Sequence, residues 1–218
     1  MCPTVWFYLA EMYRIQDDFG EVTLSRLADG MHVSLQAASR MIRRMAEEGH
    51  IIHEPYKNIR LTAQGTRIAL GVIRFHRIIE NYLVRVMGFG WDEVHEMTEQ
   101  LEKAADEKLV ERMYELAGRP TRCPHGEPIP TADGVMPELN DAPLTEQQGG
   151  DQVVISRIKT HNPERLRYLA KVNMVPGTML TVNGHGPFNG PVHLSLGSET
   201  HVLGYELASQ VYVAEYEG

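Results

Sequence analysis

The segment TLSRLADGMHVSLQAASRMIRRMAEEG, residues 23–49, constrains the fold of this chain more than any other stretch. Thr23 can cap a short helix that stops at Gly30, and Ser34 can cap a second helix that stops at Gly49. Two short helices joined by a tight turn that contains glycine are typical of a helix-turn-helix unit. The sequence therefore predicts such a unit near the N-terminus.

The second of these helices has two chemically different faces. One face is apolar, and the opposite face carries amide, hydroxyl and guanidinium groups, from Gln36, Ser39, Arg40 and Arg43. Such groups can donate hydrogen bonds to the edges of bases and can neutralise phosphates. The spacing alone leaves a simple solvated face as the alternative.

The next stretch of chain favours the DNA-binding interpretation. HIIHE and IRLTA predict two strands joined by the turn PYKN, and a helix-turn-helix followed by a hairpin is a winged-helix arrangement. We therefore predict a DNA-binding domain over residues 1–65. The residues expected to contact DNA are Ser34, Gln36, Ser39, Arg40, Arg43, Lys57 and Arg60.

The distribution of charge agrees with this prediction. The net charge is −8, but residues 26–77 contain nine basic and four acidic side chains, so a basic surface can exist locally. No apolar run approaches the ~18 residues that span a membrane, and the N-terminus does not resemble a signal peptide. Cys2 and Cys123 are too few for a disulfide framework. We expect a cytoplasmic protein.

The rest of the chain divides into a helical part and a β part. Apolar spacing predicts one long helix over about 64–87 and another over about 92–117, which favours a dimer interface. Short alternating segments after residue 150 predict a small antiparallel β-barrel or sandwich with one brief helix at PERLRYLAK. The expected domains after the winged helix are 66–138 for dimerisation and metal binding, 139–150 for a linker, and 151–218 for the β domain.

Histidines and carboxylates recur at helical spacing in the central part of the chain. His76 and Glu80 are four residues apart, and HEMTEQLE puts three more side chains within roughly 60° on the next helix: His95, Glu99 and Glu102. The loop CPHGEP adds Cys123 and His125. Nitrogen and oxygen ligands with one sulfur suit Mn²⁺ or Fe²⁺ more than a structural zinc site. The alternative is a set of surface salt bridges with structural histidines.

The order of these features resembles the diphtheria toxin repressor family. The resemblance covers the winged helix, the helices with HRIIE and VHEMTEQLE, the loop CPHGEPIP and the small β domain, and the loop is most similar to the manganese transport regulator branch. It implies a two-fold dimer that binds palindromic operator DNA when charged with Mn²⁺ or Fe²⁺ and represses metal-uptake genes. It also implies an SH3-like fold for the C-terminal domain.

The resemblance implies two metal sites per chain. The ancillary site matches His76, Glu80 and His95, with a further ligand expected from THNPER, where the candidates are His161 and Glu164. The primary site, which activates DNA binding in the family, matches Glu99, Glu102, Cys123 and His125.

Two positions depart from the family pattern. Many members have a histidine directly after the second glutamate, where this chain has Lys103, and His125 can replace that ligand. The family also takes a ligand from the first helix, at a position occupied here by Phe7, which cannot bind metal. Glu11, one helical turn further on, is the candidate in its place.

Two other functions have to be compared with the metal-activated repressor. A winged-helix regulator whose metal site has become structural is consistent with Lys103 and Phe7. A metalloenzyme would need an open coordination position and a general base beyond the ligands, and we find no such group and no other catalytic motif. We therefore expect no enzymatic activity and no small organic substrate.

Overall fold

The computed structural model describes residues 3–53 and 58–216. Its backbone contacts divide the chain into two compact units. The first contains the described residues up to His76 together with Ile129–Pro137, and the second contains Arg77–Pro128 and the described residues from Glu138 onward. The division falls inside one continuous helix.

Three helices open the first unit: α1 Pro3–Phe19, α2 Leu24–Gly30 and α3 Leu35–Glu47. The side chain of Thr23 accepts a hydrogen bond from the Arg26 amide, and that of Ser34 accepts one from the Ala37 amide, so both predicted N-caps are confirmed. Helix α1 ends at Phe19, because Gly20, at φ 73°, supplies the left-handed residue that ends it.

The predicted hairpin follows α3. Strand β1 (Ile51–Ile52) pairs antiparallel with β2 (Arg60–Leu61), and a further bridge joins Val22 to Ile59. The strands are shorter than HIIHE and IRLTA suggested. Lys57, which the sequence predicts to contact DNA, lies outside the described residues.

The core of the first unit explains the orientation of α3. Ala38, Ile42 and Met45 are almost completely buried, and Ile42 and Met45 share a core with residues of α1 and the hairpin. Burying an Ile or Met side chain contributes roughly 1.5–3 kcal/mol. The apolar face is therefore held inward, and the polar face of the same helix is directed outward.

Helix α4 (Ala63–Arg85) crosses the division between the units, and α5 (Val94–Leu101) and α6 (Glu107–Leu116) follow in the second unit. The prediction of a single helix over 92–117 was wrong. Asp106 adopts an extended backbone and its side chain accepts a hydrogen bond from the Leu109 amide at 2.8 Å, which starts a new helix. None of the helices in the described ranges has the length and apolar character needed to cross a bilayer.

The C-terminal part of the second unit is a six-stranded sheet in which all neighbours are antiparallel, in the order β3-β8-β4-β5-β6-β7. The strands are β3 Ala142–Pro143, β4 Gln152–Ile158, β5 Met179–His185, β6 Val192–Leu196, β7 Glu199–Leu203 and β8 Val211–Glu215. The predicted helix at PERLRYLAK is present as α7 (Pro163–Lys171), and a short α8 (Tyr205–Ala208) precedes β8.

The segment predicted as a linker, residues 139–150, contains structure of its own. Strand β3 pairs with β8, and a short 3-10 helix follows it with Leu144 completely buried. Proline is compatible with a strand at the edge of a sheet, and β3 is such a strand. The sheet therefore begins before residue 151.

Candidate functional site

The outward face of α3 carries the residues predicted to bind DNA. Gln36, Arg40 and Arg43 are exposed and Ser39 is half-buried. With Leu24 and Leu35 these four side chains line one surface depression beside α2. Ser34 is exposed at the first turn, and Arg60 is exposed on β2. Guanidinium and amide groups in a shallow apolar setting are suited to contacts with bases and phosphates.

A first group of metal-ligating side chains lies on α4 and α5. His76 and Glu80 are one turn apart on α4 and are only 3% and 1% exposed. Glu80 Oε1 lies 3.4 Å from Nδ1 of the half-buried His95 on α5. One ligand atom from each of these three residues lies within 4.8 Å of the other two.

A second group contains Glu80, His125 and His161, again with ligand atoms within 4.8 Å of one another. The other oxygen of Glu80, Oε2, lies 3.6 Å from Nδ1 of His125. His125 is 1% exposed, and its Nε2 lies 2.9 Å from the carbonyl oxygen of Trp91. Cys123 Sγ lies 4.0 Å from Nδ1 of the same ring. The Glu80 carboxylate is therefore common to both groups.

Contacts between imidazole rings also connect the two ligand groups. The His95 and His161 rings stack with their centroids 4.0 Å apart and an interplanar angle of 18°. His125 meets the His161 ring edge-on, at 5.9 Å and 82°. His161 precedes α7 and is exposed, whereas the imidazole of His125 is enclosed.

The surroundings of His125 favour its protonated form. Burial lowers the pKa of this imidazole, but its hydrogen bonds to Cys123 and Glu80 and the negative charge of the Glu80 carboxylate outweigh burial and raise the pKa to about 11. The proton on His125 Nδ1 faces the Cys123 sulfur and the Glu80 carboxylate. A bound cation could take the place of this proton.

These residues fit a divalent metal ion. Imidazole nitrogen and carboxylate oxygen are ligands for Mn²⁺, Fe²⁺ and Zn²⁺, and bonds to such ions are about 2.1 Å long. The hydrogen bond between His125 Nε2 and the Trp91 carbonyl orients the ring and leaves Nδ1 to bind the ion. The same group of residues thus supplies both ligands and the contacts that orient them.

Glu99 and Glu102, predicted for the primary site, belong to neither ligand group. Glu99 Oε1 lies 3.5 Å from Nε2 of His95, but its side chain is 53% exposed. Glu102 is half-buried at the end of α5. The structure places His125 beside Glu80, on the side of the predicted ancillary site, and Cys123, which belongs to neither group, next to His125.

The two remaining candidates lie elsewhere. Glu11 is on α1, where it forms an ion pair with Arg14 at 3.5 Å. Glu164 is exposed in the first turn of α7. Neither belongs to a ligand group among the described residues, whereas His161, the other candidate from THNPER, does.

Sequence reasoning missed the contacts that hold the CPHGEP loop. Glu127 in this loop accepts hydrogen bonds from Arg77 on α4 at 2.7 Å and from Arg157 on β4 at 3.2 Å. The Ile158 amide donates to the His125 carbonyl at 2.8 Å. The sequence shows Arg77 inside HRIIE and Glu127 inside CPHGEP, but it does not show that they pair, because the pairing depends on the tertiary structure.

Comparison with known protein families matches this chain to a DNA-binding domain and to a metal-binding and dimerisation domain. Residues 4–59 match the model for the N-terminal DNA-binding domain of iron-dependent repressors, and residues 62–131 match the model for their metal-binding and dimerisation domain. Residues 142–215 match the FeoA domain model. The three matches cover the winged helix, helices α4 to α6 and the sheet.

Related proteins share this arrangement along their whole length. The iron-dependent repressor IdeR of Mycobacterium tuberculosis is 29% identical over 98% of this chain and 97% of its own. A solved structure of a manganese-dependent transcriptional repressor in complex with manganese is 34% identical, with a TM-score of 0.91, and the match covers 97% of this chain and 100% of that one. ScaR with bound Cd²⁺ is 27% identical, with a TM-score of 0.85, over 97% and 99% of the two chains.

A winged helix joined to a buried histidine and carboxylate centre, with these relatives, defines a metal-dependent transcriptional repressor. The chain belongs to the diphtheria toxin repressor family, whose domain models are those of iron-dependent repressors. The resemblance seen in the sequence is confirmed, as is the expected combination of winged helix, helical domain and small SH3-like β domain.

Proposed function

We propose that this chain is a cytoplasmic, metal-activated regulator that binds palindromic operator DNA as a homodimer and represses metal-uptake genes. The observation that carries the proposal is the buried Glu80 carboxylate between two imidazoles, in a chain that also exposes a polar recognition helix. The activating ion would be Mn²⁺ or Fe²⁺, since one relative is named for manganese and another for iron. It would act through DNA binding rather than catalysis.

Exposed apolar side chains support the dimer. Leu101 on α5 and Leu109 and Leu116 on α6 are 40%, 49% and 51% exposed in the single chain. They lie within the region that matches the metal-binding and dimerisation domain model. A second copy covering these leucines would remove apolar surface from water and would present two recognition helices to a two-fold DNA site.

The proposed residues have distinct tasks. His76, Glu80, His95, His125 and His161 would hold metal, and Arg40 and Arg43 would contact DNA. Glu99, Glu102 and Cys123 remain proposed ligands of the activating site; Glu99 and Glu102 share one face of α5, where a bound cation would relieve the repulsion between their charges.

Metal should increase operator affinity about a hundredfold, which requires about 2.7 kcal/mol of differential metal affinity between the DNA-competent and incompetent states. The measurement is operator binding by chelator-treated protein as Mn²⁺ is titrated in, followed by fluorescence anisotropy. Glu102→Gln and Cys123→Ser should each require far more Mn²⁺ to reach half-activation.

Three results would separate the alternatives. Operator affinity that is high and unchanged by Mn²⁺ would show a structural metal site. Activation at wild-type Mn²⁺ concentrations in both Glu102→Gln and Cys123→Ser would place the switch at the histidine groups. Absence of operator binding at every Mn²⁺ concentration would remove the repressor proposal.

Arg40→Ala and Arg43→Ala should weaken operator binding while the dimer and its Mn²⁺ affinity stay unchanged. An arginine that reads a guanine contributes about 1–3 kcal/mol at that base, whereas one that contacts phosphate contributes on all sequences and steepens the salt dependence. Binding isotherms at two salt concentrations distinguish these roles.

The matched control is Arg167→Ala, which removes an equal charge from an exposed position on α7, outside the winged helix and away from the leucines of α5 and α6. We expect its operator affinity to equal that of the wild type. Equal affinities for the Arg40, Arg43 and Arg167 variants would contradict the assignment of α3 as the recognition helix.

A further inference from the structure

We propose that the segment Ile129–Pro137 is a strap that positions helix α1 and makes its orientation respond to the CPHGEP loop. Met136 and Arg74 are the positioning residues that hold this strap on the first unit. The proposal deepens the proposed function and rests on it, since the loop carries proposed metal ligands and α1 belongs to the winged helix. It concerns how the state of the loop reaches the DNA-binding domain.

The path of the backbone sets the strap apart from its neighbours in the sequence. Residues 129–137 belong to the first unit, whereas Pro128 and Glu138, on either side of them, belong to the second. The chain therefore enters and leaves the first unit within nine residues. Because α4 also crosses the division, three backbone crossings in the described part of the chain connect the two units. Two of the three belong to the strap.

Two arginines of α4 hold the start of the strap and the residue before it. Arg74 Nη1 donates a hydrogen bond to the Pro130 carbonyl oxygen at 2.8 Å, and Arg77 Nη1 donates one to the carbonyl oxygen of Pro128. Arg74 and Arg77 are three residues apart, so their side chains lie on one face of α4. Proline has a fixed φ and no N–H, so the carbonyl is the only hydrogen-bonding group that these two prolines offer. The strap therefore begins in a fixed position on α4.

The strap closes a turn of its own beside the first turns of α4. The Thr131 amide donates to the Val135 carbonyl at 2.9 Å, and the Val135 amide donates to the Thr131 hydroxyl at 3.0 Å. Gly134 has φ 82°, and a Cβ atom added there would lie 2.9 Å from Cγ of Arg67. The turn is therefore closed by its own hydrogen bonds and lies directly against α4. A movement at one end of the strap is passed to the other end rather than absorbed between them.

Met136 provides the apolar contact between the strap and α1. Its side chain packs against a small buried cluster formed by Ala10 of α1 with Leu70 and Ile73 of α4. None of these three residues is a member of the winged-helix core, so the cluster is a second contact surface of α1. Among the described residues of the cluster, Met136 alone comes from outside α1 and α4. The position of the strap therefore affects how α1 packs against α4.

Helix α1 carries the effect to the recognition helix. Leu9 and Met12 of α1 share the winged-helix core with Ile42 and Met45 of α3. Close-packed cores transmit displacements instead of absorbing them, so α1 and α3 should move together when α1 turns against α4. A displacement of Met136 would thus reach the exposed arginines of α3.

The loop that precedes the strap fixes where the strap begins. Glu127, two residues before Ile129, accepts hydrogen bonds from Arg77 and Arg157. A metal ion held by the CPHGEP loop would constrain the loop further. Its binding would therefore fix the strap, and with it the contact of Met136 with α1. A strap that only covered apolar surface would make Met136 important for stability alone.

Amide hydrogen exchange of the full-length protein without DNA tests the strap. Chelator-treated protein is compared with protein at saturating Mn²⁺. In the wild type, Mn²⁺ should slow exchange about tenfold in both the strap and α1. In Met136→Ala the strap should still be slowed, whereas exchange in α1 should no longer respond to Mn²⁺. Val135→Ala is the matched control, since this side chain of the same strap is 54% exposed, and it should behave as the wild type.

Operator binding provides a second measurement. Mn²⁺ should increase the operator affinity of the wild type and of Val135→Ala about a hundredfold, but that of Met136→Ala only about tenfold. The affinity for Mn²⁺ in the absence of DNA should be the same in all three proteins, because neither strap residue is a proposed ligand. If Met136 served stability alone, Met136→Ala would lower the urea midpoint of unfolding and leave the hundredfold activation unchanged.

Arg74→Met keeps the test valid if Met136→Ala does not fold. It removes the hydrogen bond to the Pro130 carbonyl and retains an apolar side chain, and it should show the same loss of response in α1. Exchange in α1 that does not respond to Mn²⁺ in the wild type, or that responds equally in the wild type and both variants, would overturn the strap.

The two measurements separate the strap from the proposed function. A response of α1 to Mn²⁺ that depends on Met136, together with an operator affinity that Mn²⁺ does not change, would refute the proposed function alone. Equal hundredfold activation of the wild type, Met136→Ala and Arg74→Met would refute the strap alone.

Discussion

Lowering the pH from about 8 to about 6 should weaken binding of Mn²⁺ at the proposed His125 site by about a hundredfold. The metal-free protein holds a proton on His125, since Cys123 and Glu80 raise the pKa of this imidazole to about 11 despite its burial. A metal ion has to displace that proton, and each pH unit below the pKa costs the ion about 1.4 kcal/mol. Calorimetric titrations of Mn²⁺ at several pH values measure the slope.

The variant His125→Ala tests the origin of this slope. It removes the group that must lose a proton, so the Mn²⁺ binding that remains should depend less steeply on pH. A slope equal to that of the wild type would show that other groups release the proton.

The same shift in pKa affects the stability of the metal-free protein in the opposite direction. The folded pKa of His125 is raised above its ordinary value of 6.5, so the bound proton stabilises the fold fully below about pH 6.5. This contribution is lost as the pH rises towards about 11. In the presence of a chelator, the protein should therefore unfold more easily at pH 9 than at pH 7, even though its affinity for Mn²⁺ increases over that range.

Gly126→Ala should lower the free energy of unfolding by at least about 2 kcal/mol. Gly126 has φ 87°, and a Cβ atom added there would lie 2.2 Å from the Ser156 carbonyl oxygen and 2.7 Å from the Arg157 Cα. Both neighbours are backbone atoms of β4, so the loop or the strand would have to move. Urea unfolding of the metal-free protein measures the loss.

Gly118→Ala is the matched control, because Gly118 has a similar φ of 83° and no atom within 4 Å of an added Cβ. Its free energy of unfolding should fall only by the cost of placing an alanine in the left-handed region, about 1–2 kcal/mol. The difference between the two variants measures the close approach of the CPHGEP loop to β4. Equal losses of unfolding free energy in the two variants would mean that the loop can move away from β4 without cost.

The displacement of the CPHGEP loop by Gly126→Ala should also affect the proposed metal site. Gly126 lies between His125 and Glu127, and the His125 carbonyl accepts a hydrogen bond from Ile158 on β4. A loop displaced from β4 would change the distance between the His125 ring and Glu80. The Mn²⁺ affinity of Gly126→Ala should therefore fall, while that of Gly118→Ala should not.

The local features of this protein were determined by its sequence alone. The caps at Thr23 and Ser34, the inward face of α3 and the spacing of His76 and Glu80 on one helix depend on residues within a few positions of one another. Helical periodicity and side-chain capping act over that range, and they are readable without a partner. The same holds for the helix at PERLRYLAK, which Asn162 caps.

Tertiary structure decided which distant residues meet. Nothing in the spacing of CPHGEP shows that His125 lies beside Glu80, because the position depends on the contacts of Glu127 with Arg77 and Arg157. His161 reaches the same carboxylate only because the sheet packs within the second unit. Ion pairs and ring stacks between residues far apart in the chain form only after it folds. A sequence pattern can therefore identify candidate ligands but cannot show which of them share a site.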